Sequence, residues 1–243
     1  MSDNIAGTLW TSPGQFTGRV VRAPYHLSLS ITKHPQIKAT AAFGGIKLKF
    51  PSDYVHYEDN YKEEFKVKFP HSKIPAWEGN DGFLLFESAA IARYVAGISP
   101  ESGLLGKNIQ EAALVDQWVH LIEEVNDNTE NIDQILDGTL APYSKSIHAY
   151  FVSQQFRGLT TLNAHLATRT FLVGERITLA DIYVAALTLR ACGINVDTAA
   201  RKKIPHLMRH LETLIHQPIF EGIFFPVPVL EKAPVYVAPK KNQ

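Results

Sequence analysis

Residues 73–96 constrain the fold of this chain more than any other stretch, because two short strand patterns and a helical pattern follow one another there without a break. Ile74-Pro75 opens the first strand pattern, and a turn bounded by two glycines follows it. Residues 83–86 then form an apolar run, which is typical of a buried strand. Ser88 is a residue type preferred at helix N-caps. The stretch therefore predicts a hairpin followed at once by a helix that Ser88 caps.

The same stretch carries groups that suit a small charged ligand. The N–H groups of the first helical turn after Ser88, together with the helix dipole, favour a carboxylate. If the Ile74-Pro75 bond is cis, the backbone of Ile74 faces outward and can pair with an extended, peptide-like ligand. Cis bonds are a minority of X-Pro bonds, so the residues by themselves favour an ordinary edge-strand proline before a capped helix.

The chain before this stretch alternates between strand and helix patterns. A strand is predicted at residues 7–11 and a second, half-exposed strand at 46–50. Apolar residues at helical spacing predict a helix over 17–31, and aromatic residues four apart predict a short helix over 59–69. With the hairpin and its helix, the order is β-α-β-α-β-β-α. A crossover helix between the first two strands implies parallel strands covered on at least one face.

The second half of the chain reads as helical throughout. Asn108, with Glu111 three residues later, predicts a helix start, and Thr178 with Asp181 predicts another. Two further helices are predicted over 141–167 and 204–215. Four segments are thus expected: an α/β domain (6–97), a linker (98–107), an all-helical domain (108–225) and a Pro-rich tail (226–243). The tail is expected to lie on the surface or to be disordered.

Composition narrows the classes of function. The 243 residues carry 24 Lys and Arg against 24 Asp and Glu, so nothing favours nucleic acid or an anionic membrane as a partner. The single cysteine, Cys192, excludes an intramolecular disulfide and fits a reducing compartment. With no signal peptide and no membrane-length apolar run, a cytoplasmic protein is expected. The ten histidines show no metal-binding spacing, so no metal is expected.

Taken together, these patterns resemble the cytosolic glutathione transferase superfamily, and within it the transferase-like domain of the gamma subunit of eukaryotic translation elongation factor one. The resemblance rests on G-T-L-W-T at 7–11, K-I-P-A-W-E-G at 73–79, D-G-F at 81–83 leading into F-E-S at 86–88, and T-R-T-F-L-V-G-E-R-I-T-L-A-D-I at 168–182. It implies an α/β plus all-α fold, in which a thioredoxin-like N-terminal domain precedes an all-helical C-terminal domain.

The resemblance also implies that the N-terminal domain binds glutathione. Ile74 would pair its backbone with the cysteinyl part of the tripeptide, just before a cis Pro75. Glu87 would hold the ammonium of the γ-glutamyl end, and the helix start at Ser88 its carboxylate. Lys73 would approach the glycine carboxylate. The Thr178–Asp181 box is implied to be structural.

The sequence gives the weakest indication for the residue that activates the glutathione thiol. The thiolate is the nucleophile, so a donor is needed near the end of the first strand. Alignment with the serine-type pattern of the superfamily puts Gln15 in that position and leaves Ser12 as the next choice. Thr11, Thr17 or no activating group remain open. Arg19 either supplies charge to the site or is a solvated helix arginine.

Two functions follow from the resemblance. The first is an enzyme that conjugates glutathione to, or exchanges it on, an electrophilic small molecule, as stand-alone members do in fungal secondary-metabolite pathways. A chain that starts at Met1 and shows no further domain favours this one. The second is a non-catalytic scaffold that docks exchange-factor subunits of the elongation factor. A homodimer is implied by the family alone, and the electrophile pocket, built from helical residues such as Trp118, His120 or Leu121, carries no distinctive chemical signal.

Overall fold

Four strands form one mixed sheet in the first half of the chain. The structure is a computed structural model, and it describes residues 5–11, 34–224 and 229–236. The strands are β1 (Ile5–Trp10), β2 (Lys47–Lys49), β3 (Ala76–Gly79) and β4 (Leu84–Phe86), in the spatial order β2-β1-β3-β4. β1 runs parallel to β2 and antiparallel to β3, and β4 is antiparallel to β3. The predicted hairpin is therefore present.

Three helices accompany this sheet: α1 (Pro35–Phe43), α2 (Glu63–Lys68) and α3 (Ser88–Ile98). A 3-10 turn, Asp59–Tyr61, precedes α2. The order of elements is the predicted one, but α1 is a helix that the sequence patterns did not predict, and the helix expected over 17–31 lies outside the described residues. Pro35 occupies the first turn of α1, where its missing N–H costs no hydrogen bond.

The second half is helical as predicted. It contains α4 (Ile109–Asp137), α5 (Lys145–His165), α6 (Leu179–Ile194), the single-turn α7 (Thr198–Arg201) and α8 (Pro205–Ile215). Asn108 caps α4 by accepting from the Glu111 N–H, and Thr178 and Asp181 form the predicted capping box of α6. The predicted fold class, an α/β unit followed by a helical domain, is confirmed.

The strand β4 corrects one expectation. The apolar run at 83–86 was expected to be buried, but Leu84 and Phe86 are 38% and 44% exposed. Among the strands of the described ranges, β4 pairs with β3 alone and so lies at an edge of the sheet. A short apolar run occurs both in edge strands and in central strands. The pattern therefore predicted a strand correctly but predicted its burial wrongly.

One hydrophobic core joins the two halves. It includes Leu9 and Trp77 from the sheet together with Ile182 from α6, all 0% exposed. Leu104, between α3 and α4, is also buried, and its carbonyl accepts from the Leu179 N–H. The sheet and the helical half therefore share packing, with α6 passing through the middle of it.

Part of the C-terminal tail lies against the helical half. The Leu230 N–H donates to the Cys192 carbonyl, and Tyr236 stacks on Tyr143 with ring centroids 4.1 Å apart. The surface position expected for the tail thus holds for residues 229–236. Cys192 is fully buried, and burial raises the pKa of its thiol to about 11, so it is an inert core residue. Within the described ranges, no helix is long and apolar enough to cross a bilayer.

Candidate functional site

The start of β3 presents an unusual backbone. The Ile74–Pro75 peptide bond is cis, as the resemblance implied. Pro75 is buried, whereas Ile74 is half-buried and precedes the first residue of β3, so it lies outside the strand ladder. The backbone groups of Ile74 thereby lie beyond the end of β3 and outside its ladder, where an extended ligand can pair with them.

The start of α3 differs from the expectation in one respect. Glu87, not Ser88, is the N-cap residue, and Ser88 is the first residue of the helix. Glu87 has φ 74° and ψ 128°, a conformation that non-glycine residues rarely adopt. No side chain in the described ranges caps this helix, so the N–H groups of its first turn keep their donor capacity. Ser88 therefore contributes its hydroxyl and its N–H from inside the first turn.

These two features border the same small cleft. Its volume is about 100 Å³, and it is lined by His71, Lys73, Ile74, Pro75, Phe86 and Glu87. Four of the five residues predicted to hold glutathione line it, and the fifth, Ser88, follows Glu87 in the chain. β3 and β4 pair through Ala76 and Phe86, which brings the residues flanking this pair together although they are far apart in the sequence.

Behind Ser88 lie residues that sequence reasoning missed. The Ser88 hydroxyl is 3.5 Å from Glu123 Oε1, a long contact from α3 to α4. The side chains of Ser88 and Gln36 also adjoin the hydroxyl of Tyr183 on α6. The one signal in the sequence was the tyrosine itself, since it places a polar hydroxyl in a helix whose other residues are mostly apolar.

The electrostatics of this corner favour a cation. Glu123 is 30% exposed, and burial raises the pKa of its carboxyl, with Asp127 and Glu87 adding a smaller effect of the same sign. Burial likewise raises the pKa of Asp127. Three carboxylates that repel one another gain from an ammonium group placed among them. The His120 ring, 3.6 Å from Glu123, is the opposing group on α4.

The thiol side of the site is described only in part. Gln15 and Ser12, as well as Thr17 and Arg19, lie outside the described residues. Thr11 is described, and its hydroxyl is 3.1 Å from His34 Nδ1. Trp10 pairs with Ala76 across the β1–β3 ladder, so Thr11 comes to lie near Pro75.

The remaining candidate positions are less suited to ligand contact. Trp118 is 6% exposed and packs against His165, with ring centroids 4.3 Å apart, so it belongs to the core. A larger groove of about 750 Å³ lies beside α2 and includes Trp10, Tyr54 and Lys68, but none of the predicted site residues. Across the described ranges, no three His, Cys, Asp or Glu side chains are grouped to hold a metal ion.

Two family models match the two halves of the chain. The model of the glutathione S-transferase N-terminal domain matches residues 33–97, and that of the glutathione S-transferase C-terminal domain matches residues 132–218. Among solved structures, the GST-like domain of elongation factor 1-gamma from Saccharomyces cerevisiae superposes with a TM-score of 0.72 at 23% identity. That superposition covers 97% of this chain and 99% of the other, and shows the shared fold.

Two curated relatives differ in how much of their length is matched. Glutathione S-transferase-like protein FUS3 of Gibberella fujikuroi is 34% identical over 199 residues, covering 81% of this chain and 94% of that protein. Elongation factor 1-gamma of Sus scrofa is 36% identical over 205 residues, covering 82% of this chain but 46% of that protein. The chain thus spans less than half of the elongation factor. The domain matches and the nearly full-length match at 34% identity show that this chain belongs to the glutathione S-transferase family.

Proposed function

We propose that this protein binds glutathione and conjugates or transfers it to an electrophilic small molecule. The observation that carries the proposal is the convergence of the cis Ile74–Pro75 bond and the Glu87–Ser88 helix start on one cleft. Either feature alone has ordinary structural explanations. Together they offer an extended backbone segment, an acid and a helix N-terminus beside one cleft.

Each binding residue has a role that follows from its chemistry. The Ile74 N–H and C=O pair with the cysteinyl unit of glutathione as a neighbouring strand would. Glu87 holds the γ-glutamyl ammonium, helped by the field of Glu123 and Asp127. The first turn of α3, with Ser88, receives the carboxylate of the same unit. Lys73 is exposed at the rim of the cleft and reaches toward the glycine carboxylate.

The chemical step needs the glutathione thiolate. A hydrogen-bond donor that favours the thiolate lowers the pKa of the thiol, which loses its proton to solvent. The thiolate then attacks an electrophilic carbon and forms a carbon–sulfur bond, while a leaving group departs with its electron pair or, in an addition, the carbon–carbon π bond opens and the neighbouring carbon takes up a proton. We assign this donor to Gln15, with Ser12 as the second choice. Both follow Thr11 closely, and Thr11 lies near Pro75 at the end of β1. A place in fungal secondary metabolism is part of the proposal, and it rests on the family resemblance alone.

Calorimetry with glutathione tests the binding part. The wild-type protein should bind, and Ser88→Ala should weaken binding by about 1–3 kcal/mol, because a charged carboxylate loses a donor. Ser153→Ala is the matched control, since this exposed serine on α5 bonds only to the Tyr150 carbonyl. Absence of binding by the wild-type protein at millimolar glutathione would reject the proposal.

Steady-state kinetics with a panel of electrophiles tests the catalytic part. Gln15→Ala should lower turnover more than it lowers glutathione affinity if Gln15 acts on the thiolate. Ser12→Ala measured beside it decides between the two candidates. Equal activity of both variants and the wild type would remove both residues from the mechanism.

A second candidate function is a non-catalytic scaffold that docks exchange-factor subunits of the translation elongation factor. The observation that favours it is the 36% identity to elongation factor 1-gamma over 82% of this chain. Co-purification of the tagged protein with elongation-factor subunits, with glutathione affinity measured on the same preparation, separates the two functions. A scaffold retains its partners in the Ser88→Ala variant.

We also propose that the protein is a homodimer that uses the exposed edge of its sheet. Phe83, Leu84 and Phe86 are 43%, 38% and 44% exposed next to one another on and beside β4. Exposed apolar side chains in a row gain from burial against another surface. Light scattering should give the dimer mass for the wild-type protein and the monomer mass for Leu84→Lys. A monomeric wild-type protein would contradict the assignment.

A further inference from the structure

Tyr183 carries a hydroxyl that is buried in the core of the protein. The residue is 0% exposed and lies in α6, near the centre of the core. Its hydroxyl makes no hydrogen bond of ordinary geometry in the described part of the chain. An unpaired buried hydroxyl is destabilising, and a phenylalanine would fill the same space without that penalty. The tyrosine therefore needs an explanation beyond packing.

The surroundings of this hydroxyl point to the start of α3. Ser88 and Gln36 adjoin it, and the Gln36 Oε1 atom is likewise buried without a partner. The Ser88 hydroxyl makes only the long 3.5 Å contact to Glu123. Four helices, α1, α3, α4 and α6, each contribute one of these side chains. A buried donor with no firm partner thus adjoins Ser88, which follows the cleft residue Glu87 in the chain.

We propose that Tyr183 is a positioning residue for the carboxylate of the bound ligand: its hydroxyl donates to Ser88 Oγ, so that the Ser88 proton points at the carboxylate. The inference rests on the proposed glutathione site and extends it into the helical half of the protein. Tyr183 touches no ligand itself. It acts through Ser88 and sets the direction in which that hydroxyl donates.

The hydrogen-bonding capacities of the two hydroxyls support this assignment. A serine hydroxyl has one proton and two lone pairs, so donation to a ligand leaves its oxygen able to accept. Without ligand, the Ser88 hydroxyl makes its long contact to Glu123, and the Tyr183 hydroxyl and Gln36 Oε1 have no partner of ordinary geometry among the described residues. Burial, with the Glu123 charge, raises the pKa of Tyr183, so the phenol remains a neutral donor. Donors in series strengthen one another in a low-dielectric interior.

The test uses Tyr183→Phe with two ligands measured by calorimetry. Glutathione carries the α-carboxylate, whereas γ-aminobutyryl-cysteinyl-glycine keeps the amine and lacks that carboxylate. Tyr183→Phe should weaken glutathione binding by about 3- to 10-fold and change binding of the analogue by less than about twofold. In the Ser88→Ala background, Tyr183→Phe should have no further effect on glutathione affinity.

Thr188→Val provides the matched control, because Thr188 is on the same helix and its hydroxyl is also buried without a partner. It should leave both affinities unchanged. Tyr183→Phe removes an unpaired hydroxyl, so its melting temperature should not fall. If the variant does not fold, Tyr183→Met removes the hydroxyl in a more adaptable side chain and is measured in the same way.

The outcomes separate this inference from the proposed function. A wild-type protein that does not bind glutathione overturns both. A wild-type protein that binds, with unchanged affinity in Tyr183→Phe, overturns the inference alone. Equal weakening for both ligands assigns Tyr183 a merely structural role and also overturns it. Selective loss for glutathione, absent in Thr188→Val, establishes it.

Discussion

Glu87 is held in a backbone conformation that has a cost. Its φ of 74° lies with a ψ of 128°, outside the left-handed helical well that asparagine and aspartate tolerate. Strain of this kind costs about 1–3 kcal/mol and persists where the surroundings require it. Here the residue lies between the end of β4 and the first residue of α3, and it lines the cleft.

Glycine at this position separates strain from chemistry. Glu87→Gly should raise the free energy of unfolding by about 1 kcal/mol, because glycine adopts positive φ without strain. It should also weaken glutathione binding, because the partner of the ammonium is lost. Glu87→Gln is the matched variant, and it should weaken binding without the gain in stability. Urea unfolding and calorimetry on both variants measure the two effects, and a Glu87→Gly protein no more stable than Glu87→Gln would argue against strain.

Glu123 gives a pH dependence whose sign is opposite to that of an ion-paired carboxylate. Burial raises its pKa above the ordinary value of 4.5, so the folded protein holds this proton more tightly than the unfolded chain. The contribution of Glu123 to the free energy of unfolding therefore falls as the pH rises from about 4 through the raised pKa. Glu123→Gln should melt higher than the wild type near neutral pH, and the difference should vanish toward about pH 4.

Melting curves of both proteins across this pH range test the prediction for Glu123. Glu124→Gln is the control, because Glu124 is half-exposed and pairs with Arg157 at 2.8 Å. Loss of that surface pair should lower stability by at most about 1 kcal/mol near neutral pH. A Glu123→Gln protein that melts below the wild type near neutral pH would contradict the sign derived from burial.

At the residue scale, the sequence pointed to the candidate binding residues at the start of β3 and of α3, because these are recognisable from neighbouring residues in the chain. Ile74-Pro75 and Glu87-Ser88 could be singled out because proline and serine have known local preferences for turns and helix starts. Glu123 and Tyr183 were not predicted, because their role depends on which helix faces which in the folded protein. The N-cap was displaced by one residue since a serine in the first turn and a serine at the cap look alike in sequence.

At the scale of elements, helix ends with a chemical signal were predicted and the others were not. Asn108 and Thr178 cap α4 and α6 as expected. The short helix α1 was not predicted, because its apolar residues show little helical periodicity. Pro35 in its first turn was the available signal. β4 was recognised as a strand, but its place at the sheet edge depends on pairing partners that sequence alone does not reveal.

The α4–α5 contact depends on a glycine. A Cβ at Gly158 would overlap Val125 Cγ2 on α4. Gly158→Ala should therefore destabilise the protein: overpacking costs about 1–3 kcal/mol, more than the roughly 1 kcal/mol gained in helix propensity. Gly97→Ala in α3 is the matched control, since its nearest neighbour would be Leu105 Cδ1 at 3.8 Å. That substitution should raise stability by up to about 1 kcal/mol.

Chemical denaturation of both single variants, together with Val125→Ala and the double variant Val125→Ala/Gly158→Ala, tests this contact. Removal of Cγ2 makes room for the new methyl, so the double variant should lose less than the sum of the two single losses. Strict additivity would show that the two side chains do not collide.

At the scale of the whole molecule, the two halves share one core. The ring centroids of Phe43, at the end of α1, and Phe220, beyond α8, are 6.1 Å apart. Leu104, in the segment that connects the two halves, is also buried. Sequence patterns distinguished an α/β half from a helical half, since the first alternates strands with helices and the second does not. They carried no information on how much surface those units bury against each other.

A shared core predicts that the protein unfolds in a single transition. In a Trp10→Phe/Trp118→Phe variant, fluorescence reports on Trp77, which is 0% exposed in the sheet, whereas far-ultraviolet circular dichroism is dominated by the long helices α4 and α5. Both signals should change at the same urea concentration.

Leu104→Ala removes a buried side chain where the two halves meet. It should lower the free energy of unfolding by about 2–5 kcal/mol and shift the urea midpoints of both signals down together. If the Trp77 signal moved to lower urea while the helical signal stayed in place, the sheet would be an independent unit, and the route from Ser88 to Tyr183 would cross a boundary that opens separately.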